Sequence, residues 1–262
     1  MSQVEIIKSR IIDVGSNGHR RSSTAITLQA PPVAQAITTF AWNTSPVSIV
    51  EEVDLPARLD SRLVVLGAPG SAQARSYRLL QHRLFAKGDP RVIAVTSAEA
   101  GAGKTTCAAN LALVLSEGAL SRVLLVDAHL ARPGVADLFG YEPSDSFMTK
   151  LLRSEDAAPP YAVASVGGLG LQIAALHPAV THGKRLDRAL LSEALRALRS
   201  TYDYIVIDSA SVPESADANG VSECSDGVVV AARAGKARKS SLRRAVEQLQ
   251  PATVAGIVLI DT

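Results

Sequence analysis

Aromatic side chains are scarce in this sequence: Phe, Trp and Tyr supply 4% of 262 residues, against 47% hydrophobic residues overall. A core built from such a chain is aliphatic, and the length and apolar content fit one sizeable α/β domain rather than a disordered or fibrous chain. Cysteine is nearly missing too. Cys107 and Cys224 are too few to ligate a metal cluster by themselves or to staple a secreted scaffold, so a reducing, cytoplasmic setting is expected. Neither charge dominates: 27 Lys and Arg face 25 Asp and Glu, a net of +2, and no nucleic acid is expected as a partner. The cationic run 236–244, KARKSSLRR, reads as a solvated helix face. No stretch is apolar for the roughly 18 consecutive residues that a membrane helix needs. Glu5, Lys8 and Arg10 interrupt the N-terminal segment where a signal peptide requires an apolar run. The expectation is a chain that neither crosses a membrane nor is exported through this end.

Residues 1–60 are rich in turn formers (SNGHRRSSTA, QAPPVAQA, WNTSPVS) and hold no sustained period, which predicts a mobile N-terminal arm ahead of a folded domain over 61–262. In that domain, segment 71–87 repeats Tyr77, Leu80 and Leu84 at helical spacing. Short apolar runs then alternate with helical stretches. Strands are predicted over 92–96, 122–127, 204–208, 227–232 and 254–260, and helices over 104–117, 186–200 and 238–249. Such alternation predicts an α/β fold: a mostly parallel central sheet with helices on both faces.

The stretch 98–106, AEAGAGKTT, stands where a phosphate-binding loop must stand, after one predicted strand and opening a helix. Gly101 and Gly103 free the backbone to turn its N–H groups inward, with Ala102 between them and Thr106 in the helix's first turn. Lys104 is placed to reach the β- and γ-phosphates of a nucleotide, and the Thr105 hydroxyl to ligate Mg²⁺. The full Walker pattern has a further glycine five positions before Gly103; here that residue is Ala98. Two other predicted strands end in aspartate, Asp127 in RVLLVDAHLARP and Asp208 in YDYIVIDSASV. A Mg²⁺–nucleotide site needs a carboxylate at a neighbouring strand end. Either aspartate alone serves equally well as a cap for a turn or helix. Together with Lys104 they indicate a P-loop nucleotide-binding domain over 61–262.

With these boxes in order, residues 61–260 resemble the bacterial tyrosine kinases (BY-kinases) of capsule and exopolysaccharide assembly. The likeness runs through YRLLQHRL, GAGKTT with AANLALVLS, LLVDAHLARP, YDYIVIDSASV and ADANGVSECSDGVVVAARAG. The resemblance implies a P-loop fold binding ATP and Mg²⁺, with Lys104 and Thr105 on the nucleotide and Asp127 and Asp208 completing the metal and water shell. It implies structural roles for Asp217, Asp226 and Arg233. It also implies, as partner, a membrane polysaccharide co-polymerase or chain-length protein, met at the inner face of the cell membrane. The ParA/MinD-type positioning ATPases share the fold but carry a signature lysine five positions before the main one, where this chain has Glu99. A carboxylate there repels a partner's phosphate.

Departures from the kinase pattern are specific. His129 stands where the second box has another aspartate, making it the expected proton-handling residue beside Lys104, Asp127 and Asp208; Ala131 replaces an arginine. The third box, Asp-Thr-Pro-Pro in the family, reads Asp208-Ser-Ala-Ser211, which predicts a looser turn. The ring-forming pattern Glu-x-x-Arg-x-x-Arg is matched by Arg75, Arg78 and Gln81, so at most a weak homo-oligomer is expected. The sequence stops at VLIDT with no tyrosine cluster, and Ile260 occupies the adenine-side asparagine position. The expected activity is tyrosine phosphotransfer or weak ATP hydrolysis directed at a partner. The alternatives are a nucleotide-dependent regulator without phosphotransfer and a ParA/MinD-type positioning ATPase.

Overall fold

In the computed structural model, residues 6–8, 46–86, 88–119, 121–144, 146–153, 159–177, 179, 181 and 184–260 are described. The strands are β1 (Ile6–Lys8), β2 (Val47–Val53), β3 (Val92–Ser97), β4 (Val123–Ala128), β5 (Tyr161–Val166), β6 (Leu171–Ala174), β7 (Tyr204–Ser209), β8 (Gly227–Arg233) and β9 (Val254–Ile260). They form one sheet in the order β1-β9-β8-β3-β7-β4-β6-β5-β2. Neighbours run parallel except β5 and β6, which are antiparallel. The central strands β3 and β4 are buried along their whole length, as continuous apolar runs in a parallel sheet must be.

Alternation along those strands separates two cores. Ile93, Val95, Val123 and Leu125 point to one side, where α1 (Val64–Gly67), α2 (Ala72–Ala86), α3 (Lys104–Leu115) and α4 (Val135–Phe139) supply the cover. Val92, Ala94, Leu124 and Val126 point to the other, under α5 (Phe147–Arg153), α6 (Arg188–Leu198), α7 (Ala216–Glu223) and α8 (Lys239–Gln248). The expected α/β fold with helices on both faces is the fold observed. Tyr77, Leu80 and Leu84 form the buried stripe of α2.

Several elements have no counterpart in the sequence reading. The short antiparallel pair β5/β6 turns through Gly167–Gly170, and β6 is only 4 residues long. Helix α7 contains Asn219-Gly220, a turn dipeptide by composition, but Ser215 caps it by accepting from the Asp217 amide at 3.1 Å. The proposed arm falls largely outside the described residues, at 1–5 and 9–45; within 46–60, β2 lies at the sheet edge on β5. Asp226, placed before β8, takes the Arg91 and Val92 amides at 3.0 and 2.8 Å and pairs with Arg199 at 2.6 Å. It therefore ties strand starts at the sheet end remote from the phosphate loop.

Candidate nucleotide site

The loop 98–103 leaves β3 and delivers the chain into α3. Gly103 has φ 87° and Gly101 φ 67°, the left-handed region that an L side chain enters with strain. A Cβ on Gly103 would also lie 2.7 Å from Ile260 Cδ1, the movable end of that side chain, so the backbone conformation is the main demand for glycine there. No side chain caps α3, which leaves its first amides directed at the cleft, the arrangement that binds phosphate. The cleft is about 730 Å³. Gly101, Ala102, Gly103, Lys104, Thr105 and Thr106 all line it, and so does His129; Glu99 does not.

Lys104 is 4% exposed. Burial lowers its pKa, the Asp208 and Glu214 carboxylates pull it back up, and Arg132 pushes it down again. Asp127 and Asp208 are brought side by side because β4 and β7 pair in the register Asp127 to Asp208. Both are fully buried, and both carboxyl pKa values rise, burial being the main cause. For Asp208 the neighbouring Asp127 charge adds to the rise, while the Thr105 hydroxyl and Lys104 oppose it.

The two aspartates are nonetheless used differently. Asp127 Oδ1 accepts from the His129 amide at 3.1 Å, and its Oδ2 accepts from the Gly134 and Val135 amides at 2.9 and 3.1 Å. Those bonds hold the loop after β4 and satisfy the start of α4. Asp208 Oδ2 accepts from the Thr105 hydroxyl at 2.6 Å, and its Oδ1 is buried without a partner. An orphaned buried carboxylate oxygen beside a threonine hydroxyl is a hard-oxygen pair that fits Mg²⁺. Among the described residues no group of three or more His, Cys, Asp or Glu forms a metal cage. Mg²⁺ needs none, since it is held through one or two protein oxygens together with phosphates and water.

His129 is half-buried. Burial, with the Lys104 charge as second cause, pushes its pKa down to about 4, so the imidazole is neutral at pH 7. The third-box turn is firmly held: Thr96 Oγ1 donates to the Ala210 carbonyl at 2.7 Å and the Val212 amide to the Ser97 carbonyl at 2.9 Å. These bonds tie the turn to the end of β3 without the prolines of the family pattern. Sequence reasoning missed other walls of the cleft, among them Arg62, Tyr77, Arg132 and Glu214, and the use of Arg233 as lining, while Ile260 lines it as its adenine-side position implies. Glu214 alone carried a usable signal, an acid six residues after Asp208 in a strand-end loop.

Residues 90–256 match the model of the ParA family, described as a NUBPL iron-transfer P-loop NTPase. The chain belongs to the ParA family of P-loop NTPases. A nucleotide at the phosphate loop follows from that membership. Within this family, the ParA-type chain is similar to tyrosine-protein kinase YwqD of Bacillus subtilis, 27% identical over 74% of this chain and 82% of YwqD. It is 27% identical to the succinoglycan biosynthesis transport protein ExoP of Rhizobium meliloti over 81% of this chain, spanning only 28% of ExoP's length. The solved VpsO kinase domain superposes with a TM-score of 0.60 at 28% identity, covering 72% of this chain and 94% of that domain. The resemblance to bacterial tyrosine kinases read from the motifs is therefore shown by named relatives. Among the described residues, no helix is long and apolar enough to cross a membrane.

Proposed function

We propose that this ParA-family protein binds ATP with Mg²⁺ and acts in exopolysaccharide or capsule assembly, by tyrosine phosphotransfer or slow ATP hydrolysis directed at a partner. The observation that carries the reading is the Lys104, Thr105 and Asp208 constellation at the uncapped start of α3, with Asp208 Oδ1 left open. In this reading the domain runs over 61–262. The loop amides and Lys104 hold the β- and γ-phosphates, Thr105 and Asp208 hold the cation, and Asp127 shapes the loop that carries His129. Bound Mg²⁺ supplies charge neutralisation at the phosphates.

Direction toward a partner is supported by the tyrosines. Tyr77, Tyr161 and Tyr202 are buried, while Tyr141 and Tyr204 are half-buried, so none of the five is presented as an acceptor. Tyr204 donates to Asp89 at 3.0 Å and stacks on Phe85 at 5.6 Å. The partner we propose is the cytoplasmic end of a membrane polysaccharide co-polymerase or chain-length protein, which places this chain at the inner face of the membrane. Self-assembly is proposed to be weak. Arg78, the residue retained from the ring pattern, is engaged within its own chain by Glu117 at 2.5 Å and by the Pro69 carbonyl at 2.8 Å. Incubation with ATP and Mg²⁺, with and without that cytoplasmic segment, is expected to give phosphotyrosine on the segment alone; labelling of this chain instead would overturn the direction proposed.

His129 favours a second reading, a nucleotide switch with little turnover. An imidazole offers Mg²⁺ a poorer ligand than a carboxylate and, at a pKa of about 4, a weak proton acceptor. His129→Asp is expected to raise phosphate release at saturating ATP and Mg²⁺ by about tenfold with little change in nucleotide affinity. Equal rates for the two proteins would show that position 129 does not limit turnover.

A further inference from the structure

The cleft contains a carboxylate that the nucleotide-binding machinery leaves unused. Glu214 follows β7 in the loop before α7 and lines the same cleft as Lys104 and His129. It is exposed, but its position is fixed from below. The Glu214 amide donates to the Ser211 carbonyl at 3.1 Å, and the fully buried Ser211 hydroxyl donates to its carboxylate. Ser211 is itself locked between two bonds to the end of β3, through Ala210 and Val212. The carboxylate's charge is felt at both Lys104 and His129, the groups that flank the γ-phosphate position on the phosphotransfer reading.

Two departures from the kinase pattern and one contact meet here. The second box loses a carboxylate at His129, the third box trades a proline for Ser211, and the Ser211 hydroxyl holds Glu214 over the cleft. We propose that Glu214 is the proton-accepting catalytic residue of this site, supplying from the loop after β7 the carboxylate that the loop after β4 lacks. The inference rests on the phosphotransfer reading above. The oxygen of an attacking hydroxyl, from water or a partner side chain, bonds to the γ-phosphorus of ATP. The bond from that phosphorus to the β,γ-bridging oxygen breaks, ADP leaves with the electron pair, and the hydroxyl proton passes to Glu214. Lys104 and Arg132, on the same cleft, balance the added negative charge.

The test compares wild type, Glu214→Gln, His129→Asp, and Glu214→Gln combined with His129→Asp. Phosphate release is measured at saturating ATP and Mg²⁺, and nucleotide affinity by calorimetry. Glu214→Gln is expected to lower kcat about tenfold or more while Mg²⁺·ATP binds as tightly as before or tighter, because a charge facing the phosphates is removed. In the His129→Asp background, Glu214→Gln is expected to cost less than about threefold relative to His129→Asp alone, whereas a merely structural glutamate would cost the same tenfold in either background. Wild-type turnover that Glu214→Gln leaves unchanged, or a loss just as large in the His129→Asp background, overturns the role of Glu214 alone. A wild type that binds Mg²⁺·ATP without releasing phosphate or phosphorylating the partner overturns the phosphotransfer reading, and this role with it.

Discussion

Calorimetric titration of the Lys104→Met variant with Mg²⁺·ATP is expected to give no measurable binding heat under conditions that saturate the wild type. Lys104 is 4% exposed and opens α3 at the cleft, so a phosphate bound there meets its ammonium in a water-poor setting. Truncating one partner of such a buried charge pair costs about 2–5 kcal/mol, which is a loss of about thirtyfold to several thousandfold. The loop amides survive the substitution and account for whatever residual affinity is seen. Loss of fold is not the expected route. Methionine fills similar space, and Asp208, whose pKa burial already raises, holds its proton more firmly once the Lys104 charge that lowers it is gone. A variant that keeps its circular dichroism and its melting transition but binds nucleotide as the wild type does would remove the phosphate loop from the site.

Lys104, Thr105 and Asp208 stand out in the sequence as candidates, whereas Glu214 offers only an acid in a strand-end loop, and the difference has a topological reason. The phosphate loop is local: strand, glycine turn and helix follow one another within 104–115 and its preceding loop, so the motif contains its own geometry. The strand-end aspartates are legible because parallel strands deliver their C-terminal ends to one edge. Which of them keeps an oxygen without a hydrogen-bond partner is not legible, since it depends on the loop 129–135 folding back to donate amides to both oxygens of Asp127. Glu214 and His129 follow the neighbouring strands β7 and β4 and line one cleft, although the two residues stand far apart in sequence. Nothing in either box announces that meeting. The pair β5/β6 escaped for a different reason: a 4-residue strand that buries Gln172 opposite the Tyr202 hydroxyl breaks the apolar run by which strands are recognised.

Replacing Asp208 by asparagine is expected to stabilise the nucleotide-free protein at alkaline pH and to remove its response to Mg²⁺. Burial and the adjacent Asp127 raise the Asp208 pKa from 3.8 to about 8. A carboxyl raised in this way holds a proton in the folded state that the unfolded chain has released. Its contribution therefore favours the fold at low pH and is lost as the pH rises through about 8. A tenfold difference in proton affinity between folded and unfolded chains is worth about 1.4 kcal/mol, and Asp127 shares the effect, so a difference of roughly 2 kcal/mol between variant and wild type should develop between about pH 4 and 8. For a domain of this size that is about 4–8 °C in Tm, with the variant higher at the alkaline end and near wild type at the acid end. Asparagine keeps the oxygen that accepts from Thr105 but cannot offer a charged oxygen where Oδ1 now stands without a partner. Mg²⁺ should consequently add to the thermal protection given by ATP in the wild type and add nothing in Asp208→Asn. A carboxylate kept at a strand end against its own burial cost, and against its twin on β4, must give this split between stability and function if its purpose is a cation. Parallel pH–stability curves for the two proteins, or Mg²⁺ protection retained in the variant, would show that Asp208 is a structural acid and move the cation site elsewhere in the cleft.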